Sequence, residues 1–280
     1  MDADPSLENN EKFLYVSDLL KKISMPIPNI YHMDDCGRYF LISDLGKKTL
    51  FDHRSESHFL NFYDRAIELL VSMQINGESL KSQLPKYDNA LLYSEMELFK
   101  EWFCFHELGL SVQEIERIDF NPLFMQLIQS ANNQERVLVH RDYHSRNIMI
   151  SDNDEMGFVD FQDAVSGPIT YDIVSLLKDC YVTWDDETIY SMASSYFEKI
   201  ERNHNIVYEE FEYWFDITGL QRHLKAIGIF SRLNYRDNKP NYLDDIPRTY
   251  KYIEKTLSKY PELSEIKKIF SEINLDNIYD

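Results

Sequence analysis

The segment HRDYHSRN, residues 140–147, holds a carboxylate, Asp142, and a carboxamide, Asn147, in one polar loop. A second carboxylate, Asp160, follows in VDFQD after a further short apolar run. These residue types in this order suit phosphoryl transfer to a hydroxyl group. Such a reaction needs a carboxylate to take or orient the proton of the attacking hydroxyl, and oxygen ligands to hold magnesium against the phosphates. A hard cation prefers carboxylate and carbonyl oxygens, and substrate phosphates complete its shell. Asp142 is therefore the candidate base, and Asn147 and Asp160 are the candidate metal ligands. Either piece alone is a short pattern that recurs in unrelated charged loops. Their succession as strand, loop, strand, hairpin and strand carries the reading.

Neighbouring residues have open roles. His140 reads as a packed histidine that hydrogen-bonds the loop backbone rather than as a catalytic group. Asp163 stands close to Asp160 and reads either as a third metal or substrate ligand or as a turn carboxylate. Asp172, in GPITYD, opens a helical pattern. It is either an N-cap carboxylate or a tie between that helix and the loop, and both readings are structural.

The elements that must position these groups are legible from periodicity. VLVH (137–140), NIMI (147–150) and GFVDF (157–161) are short, apolar and rich in β-branched residues, as strands are. SDNDEM between the last two suits a hairpin loop. Upstream, a helical pattern runs from Leu7 to Ile23 and stops at Pro26 and Pro28. RYFLISDLG reads as a strand leaving through Ser43 and Asp44. A helix is expected from about His58 to Asn76, with Gly77 as its C-terminal cap. Another is expected from about Asn89 to Glu107. Ser111 and Glu114 form a capping box, and Pro122 interrupts or restarts the helix that follows. From Thr170 onward the patterns are helical.

Composition narrows the function classes. The chain has 280 residues, 44% hydrophobic and 28% charged, as expected of a globular protein with a substantial core. Its formal net charge of −19 argues against a nucleic-acid or anionic-membrane surface, which would need a basic footprint. Cys36, Cys104 and Cys180 are odd in number and far apart, so neither a zinc site nor a disulfide framework is expected. The polar start MDADPSLENNEKF has no apolar signal-peptide core. The expected location is the cytoplasm, where ATP is available.

At this point the chain resembles the aminoglycoside phosphotransferase and choline kinase superfamily. Within it the likeness is to bacterial anomeric sugar kinases that phosphorylate N-acetylmuramate and N-acetylglucosamine at C1 in peptidoglycan recycling. The stretches that carry this are LVHRDYHSRNIM, VDFQDAVSGPITYDIVSLLKDCY and GLQRHLKAIGIFSRLNYRDNKPNYLDDIPR, with SDLG upstream. HRDYHSRN also fits the H-R-D-x-x-x-x-N loop of kinases, and Asp160 fits the aspartate of D-F-G. The resemblance implies an α+β, protein-kinase-like two-lobe fold with an incomplete small lobe. Residues 1–47 would form the partial N-lobe and hinge, and 48–280 a helical C-lobe. It further implies ATP and Mg²⁺ as cofactors, with the backbone of Leu41, Ile42, Ser43 and Asp44 as the adenine-binding hinge. Gln162 replaces the glycine of D-F-G, which argues against a mobile flip there.

One expected part is missing. There is no G-x-G-x-x-G, the first of eight glycines is Gly37, and Lys12 lies inside the first helical pattern rather than on a strand. MDADPS resembles the end of the third small-lobe strand of longer relatives, so the chain reads as truncated or as a natural short form. Alternatives to the sugar are another small alcohol, such as an aminoglycoside or choline, or a non-catalytic binding module.

For the acceptor, the helical pattern from Gly219 to Asp237 carries Arg222, Lys225, Arg232 and Arg236 along one side. Leu220, Leu224 and Ile227 face the other way. A guanidinium there suits the carboxylate of N-acetylmuramate, and a solvated or ion-paired face is the plain alternative. Tyr235, Asp237 and Asp163 complete the candidate substrate set.

Overall fold

The computed structural model describes residues 1–204 and 206–273. The chain divides into two compact units, each made of two stretches of sequence. One comprises Met1–Lys86 and Glu135–Val207, the other Tyr87–Gln134 and Tyr208–Asp280. The first unit begins with α1 (Asn10–Lys22), β1 (Ile30–Met33), β2 (Phe40–Ile42), β3 (Lys48–Thr49) and α2 (Phe59–Asn76). The second unit then contributes α3 (Asn89–Leu98), the π-helical segment Phe99–Glu107, α4 (Val112–Arg117) and α5 (Asn121–Asn133). The first unit resumes with β4 (Arg136–Val139), β5 (Ile148–Ile150), β6 (Met156–Phe158), β7 (Val165–Pro168), α6 (Tyr171–Leu177) and α7 (Asp186–Ile200). Helices α8 (Tyr208–Tyr235), α9 (Ile246–Lys259) and α10 (Ser264–Glu272) complete the second.

In the first unit the strands form three small antiparallel sheets, β1-β2, β3-β5-β6 and β4-β7. Asp2 bridges to Tyr39 beside β2, so Met1–Ala3 runs along that edge. The hairpin expected at SDNDEM is present, with Ile148 opposite Phe158 and Ile150 opposite Met156. Strand β4 carries three buried residues in a row, Val137, Leu138 and Val139. Every residue of α6 is buried, so that helix is enclosed on all sides. Helix α1 is capped by Asn9, whose side chain accepts from the Lys12 N–H, and Lys21 and Lys22 sit in its last turn.

Gly77 is the C-cap of α2, as expected, its N–H donating to the Met73 carbonyl, with φ −78° rather than a left-handed conformation. Its lack of a side chain serves close packing instead: a Cβ there would lie 2.5 Å from the Met73 carbonyl oxygen and 3.0 Å from Leu138. The helix expected from Asn89 to Glu107 is α-helical only to Leu98 and continues as nine residues of π-helix. Strands β1, β3 and β7 were not anticipated; they are two to four residues long, and β7 reads VSGP. The capping box at Ser111 and Glu114 is present, and Pro122 restarts the chain in the first turn of α5.

In the second unit, Leu220, Leu224 and Ile227 of α8 are fully buried, as the stripe pattern requires. Gly228 lets α8 press against the junction of α3 and the π-helix. A Cβ there would meet the Leu98 carbonyl carbon at 2.5 Å and the Phe99 nitrogen at 2.7 Å. Backbone atoms cannot move aside cheaply. Gly228→Ala is therefore expected to destabilise the protein by about 1–3 kcal/mol, the usual cost of overpacking, and urea denaturation checks this. An unchanged midpoint would show that the two segments are free to separate.

Candidate active site

The loop between β4 and β5 is held by two buried carboxylates, one in α6 and one just past its end. Asp172, in the first turn of α6 and wholly inaccessible, accepts from the backbone N–H of His140 at 2.6 Å and of Arg141 at 3.0 Å. Asp179, just past α6, accepts from the N–H of Ser145 at 3.0 Å and of Tyr181 at 2.9 Å, and from the Ser145 hydroxyl. Of the two readings of Asp172, the structure thus takes the tie to the loop. Further anchors surround it. The Tyr143 hydroxyl donates to the Ala66 carbonyl at 2.8 Å, and the Arg146 guanidinium lies 3.6 Å from the centre of the Tyr181 ring.

Arg141 adopts φ +78° and Asp160 φ +65°, the left-handed region that side chains disfavour. Each such residue costs about 1–3 kcal/mol. At Arg141 the carboxylate bonds from Asp172 offset this, since hydrogen bonds to charged groups contribute about 1.5–3 kcal/mol each.

The three candidate residues come together. The Asn147 amide nitrogen donates to the Asp142 carbonyl at 3.0 Å and reaches Asp160 Oδ2 at 3.4 Å. The Val159 N–H donates to the Asn147 carbonyl at 3.0 Å, closing the hairpin onto the loop. Gln162 donates its amide to Asp160 Oδ1 at 2.7 Å. Asp142 itself is half-buried, and its N–H approaches His140 Nδ1 at 3.3 Å. His140 is buried and its pKa is pushed down to about 4, chiefly by desolvation, so the ring is neutral at pH 7. The packed reading of His140 holds.

A cavity of about 460 Å³ opens beside this cluster, lined in part by Phe13, Ile42, Asn147, Val159, Asp160 and Phe161. Its size and its mix of apolar wall and convergent polar groups suit a small-molecule ligand. Asn147 and Asp160 on its wall fit a magnesium ion, which keeps few protein ligands and takes oxygen from phosphates. Among the described residues no group of three or more histidines, cysteines or acids forms a richer metal cage. Of the four hinge candidates, Ile42 lines the cavity. Leu41 is exposed, the Ser43 N–H donates to the Asn29 carbonyl, and Asp44 accepts from the Gly46 N–H.

Asp163 is ion-paired with Lys12 of α1, and Phe13 stacks on Phe161 with ring centres 5.2 Å apart. Asp163 is thereby held as a link from α1 to the hairpin. Lys12, Asp179, Gln162 and Arg146 were not singled out as supports. Only Asp179 left a trace in the sequence: it stands two helical turns after Asp172, which puts both carboxylates on one side of an apolar helix.

The remaining substrate candidates lie in the second unit. Lys225 pairs with buried Glu95 at 2.9 Å, and Glu95 also receives the Tyr87 hydroxyl. Arg236 and Asp237 pair with each other through two contacts of 2.8 Å. Arg222 is half-buried on α8. Arg232 and Tyr235 stand by the π-helix, with the Tyr235 ring stacked on His106 at 5.5 Å.

Comparison with known proteins follows the same lines. The model of the phosphotransferase enzyme family matches residues 1–205. The chain is 38% identical over 276 residues to the N-acetylmuramate/N-acetylglucosamine kinase of Pseudomonas putida, covering 98% of this chain and 80% of that protein. Among solved structures, Plasmodium vivax ethanolamine kinase superposes with a TM-score of 0.59 at 16% identity, over 87% of this chain and 72% of that one. The ADP-bound aminoglycoside phosphotransferase APH(2'')-Ib gives 0.53 at 20% identity, over 88% and 82%. The α+β fold is therefore the kinase-like fold of these enzymes.

Two outcomes follow from the loop geometry. Asp172→Ala leaves two backbone N–H groups without their acceptor and is expected to cost roughly 2–5 kcal/mol, measured by chemical denaturation. His140 is neutral when folded but takes a proton on unfolding below its ordinary value of about 6.5. Its effect on stability is absent above that pH and grows as pH falls. It reaches about 3 kcal/mol of destabilisation by pH 4. Unfolding free energy should fall between pH 6.5 and 4.5, with a shallower slope in His140→Gln; equal slopes would contradict it.

Proposed function

The chain belongs to the phosphotransferase enzyme family, and on that premise we propose that it transfers the γ-phosphoryl group of ATP to the anomeric hydroxyl of N-acetylmuramate and N-acetylglucosamine. The observation that carries the reading is the Asn147 amide spanning the Asp142 carbonyl and the Asp160 carboxylate. That arrangement supports a base and a metal site on one rigid frame. The acceptor is supported by the 38% identity to the Pseudomonas putida kinase named for those two sugars.

In this reading Asp142 takes the proton of the anomeric hydroxyl as its oxygen attacks the γ-phosphorus. The bond from that phosphorus to the oxygen bridging to the β-phosphate breaks, and ADP leaves. Asp160 and the amide oxygen of Asn147 would hold Mg²⁺, which when bound would neutralise phosphate charge. Asn147 is suited to this because its amide nitrogen is already directed to Asp142, leaving Oδ1 as the coordinating atom. Gln162 and the Lys12–Asp163 pair steady the turn that presents Asp160. Because the frame is fixed before substrate arrives, positioning supplies much of the rate.

The nucleotide is assigned to the cavity bounded by Ile42, Asn147 and Asp160, with the backbone of Leu41–Asp44 as the adenine hinge. The partition into residues 1–47 and 48–280 belongs to the same proposal. So does a cytoplasmic location; among the described residues no helix is long and apolar enough to cross a membrane.

Purified protein with ATP and magnesium should consume ATP with N-acetylmuramate and N-acetylglucosamine but not with choline or kanamycin. The sugar product should lose its phosphate in mild acid, as a C1 phosphate does. Asp142→Asn should fold normally and turn over at least about a hundredfold more slowly, the scale of a lost general base. Turnover with choline or kanamycin alone would reassign the acceptor, and wild-type rates in Asp142→Asn would remove the base.

A further inference from the structure

Arg146 stands apart from most cations of this acidic chain. Acidic residues outnumber basic ones by 48 to 29, and Lys12, Lys225 and Lys259 each take a carboxylate partner. Among the described residues Arg146 has no carboxylate partner and no side-chain hydrogen bond. Its guanidinium instead lies over rings, 3.6 Å from the centre of Tyr181 and 5.1 Å from that of Phe51. A guanidinium held on a ring face keeps its forked N–H edge for another partner.

The two rings are fixed by the residue that precedes Arg146. The Phe51 N–H donates to the Ser145 carbonyl at 3.0 Å. Ser145 in turn gives its N–H and its hydroxyl to Asp179, which also accepts the Tyr181 N–H at 2.9 Å. A second cation converges on the same place. The Arg54 guanidinium lies 4.1 Å from the centre of the Phe51 ring, and its Nη1 donates to the Phe51 carbonyl at 3.0 Å. Phe51, Arg146 and Tyr181 are half-buried and Arg54 is exposed, so the cluster reaches solvent. Two guanidinium groups on one ring raise the local potential in favour of an anion.

The cluster belongs to the same unit and the same loop as the candidate base. Arg146 directly precedes Asn147, and the loop is tightly wound. The His144 N–H donates to the Asp142 carbonyl at 3.0 Å and the Asn147 N–H to the His144 carbonyl at 2.9 Å. The backbone at Arg146 therefore stays close to Asp142. Asn147 lines the cavity assigned to the nucleotide, whereas Phe51, Arg54, Arg146 and Tyr181 do not. An anion on Arg146 thus belongs to a reactant that meets Asp142 from outside that cavity.

The planar fork of a guanidinium matches a carboxylate through two parallel hydrogen bonds. N-acetylmuramate differs from N-acetylglucosamine by a lactyl ether that bears a carboxylate. We propose that Arg146, held against Phe51 and Tyr181 and reinforced by Arg54, binds the lactyl carboxylate of N-acetylmuramate and so discriminates between the two sugars. This rests on the sugar-kinase reading and adds to it a specificity residue carried on the loop of the base.

The test measures kcat/KM with N-acetylmuramate, its neutral methyl ester and N-acetylglucosamine, together with the KM for ATP. Wild-type protein should favour the acid over the ester at least about tenfold. Arg146→Gln should lower the ratio of N-acetylmuramate to N-acetylglucosamine turnover at least about tenfold and remove the preference for the acid. Arg146→Lys keeps the charge but loses the fork, so it should fall between the two. It carries the test if Arg146→Gln fails to fold. Arg54→Gln should lower the same ratio about two- to threefold, an effect that shrinks at high salt.

Equal loss with both sugars, or a change confined to the KM for ATP, would overturn the assignment and put the guanidinium on a phosphate. An unchanged ratio in both Arg146 variants, or equal use of acid and ester by the wild type, would overturn it too. Failure of the wild type to phosphorylate either sugar would instead strike the proposed function. Calorimetry with N-acetylmuramate alone then decides the inference: binding that weakens in Arg146→Gln upholds it, and binding that is unchanged or absent overturns it.

Discussion

Two backbone N–H groups, of His140 and Arg141, point at one buried carboxylate, Asp172. Much of the candidate site depends on that arrangement. Arg141 occupies a left-handed conformation that a side chain resists by about 1–3 kcal/mol. Two charge-assisted hydrogen bonds exceed that cost. The turn they stabilise sends the chain past Asp142, and Asp179 catches it again at Ser145. Between those two anchors Asn147 reaches back to the Asp142 carbonyl and across to Asp160. The loop is thus closed on itself by its own hydrogen bonds.

The second unit shows a different constraint, steric rather than electrostatic. Gly228 permits a backbone contact that any side chain would block, and this is where α3 gives way to π-helix. The wider hydrogen-bonding pattern of the π-helix presents Trp102 and His106 in a single column with Tyr235. A basic stripe read from periodicity is divided here into residues with distinct surroundings. Lys225 serves a buried network with Glu95, Tyr87 and Gln221, whereas Arg232 stands by the rings. Equal spacing on a helix says nothing about what each position meets.

Much of the first unit was legible because short-range chemistry specifies it. Three apolar runs and a polar hairpin there, and a capping box in the second unit, follow from residue type and spacing, because local hydrogen bonding and side-chain alternation place them. Strands β1, β3 and β7 were not legible, since two to four residues carry no periodicity. The cap expected at Gly77 is present, but the glycine serves it in an unexpected way. A glycine at a helix end fits a left-handed turn, but here it makes room for Leu138 from a distant strand. The π-helix was equally hidden, because Phe99–Glu107 has an ordinary helical composition.

The sequence by itself determined which residues have the chemistry for phosphoryl transfer and the order in which they arrive: Asp142, Asn147, Asp160. It also determined the family resemblance and the apolar face of α8. Only the tertiary structure decided which carboxylates act as anchors, Asp172 and Asp179, and that Asp163 is taken up by Lys12. It alone separated Arg232, near Glu101 of the π-helix, from Lys225, which pairs with Glu95. The physical reason is that residue type and spacing encode local geometry and latent reactivity, whereas a charge acquires its role from the partners that folding brings within about 3 Å of it.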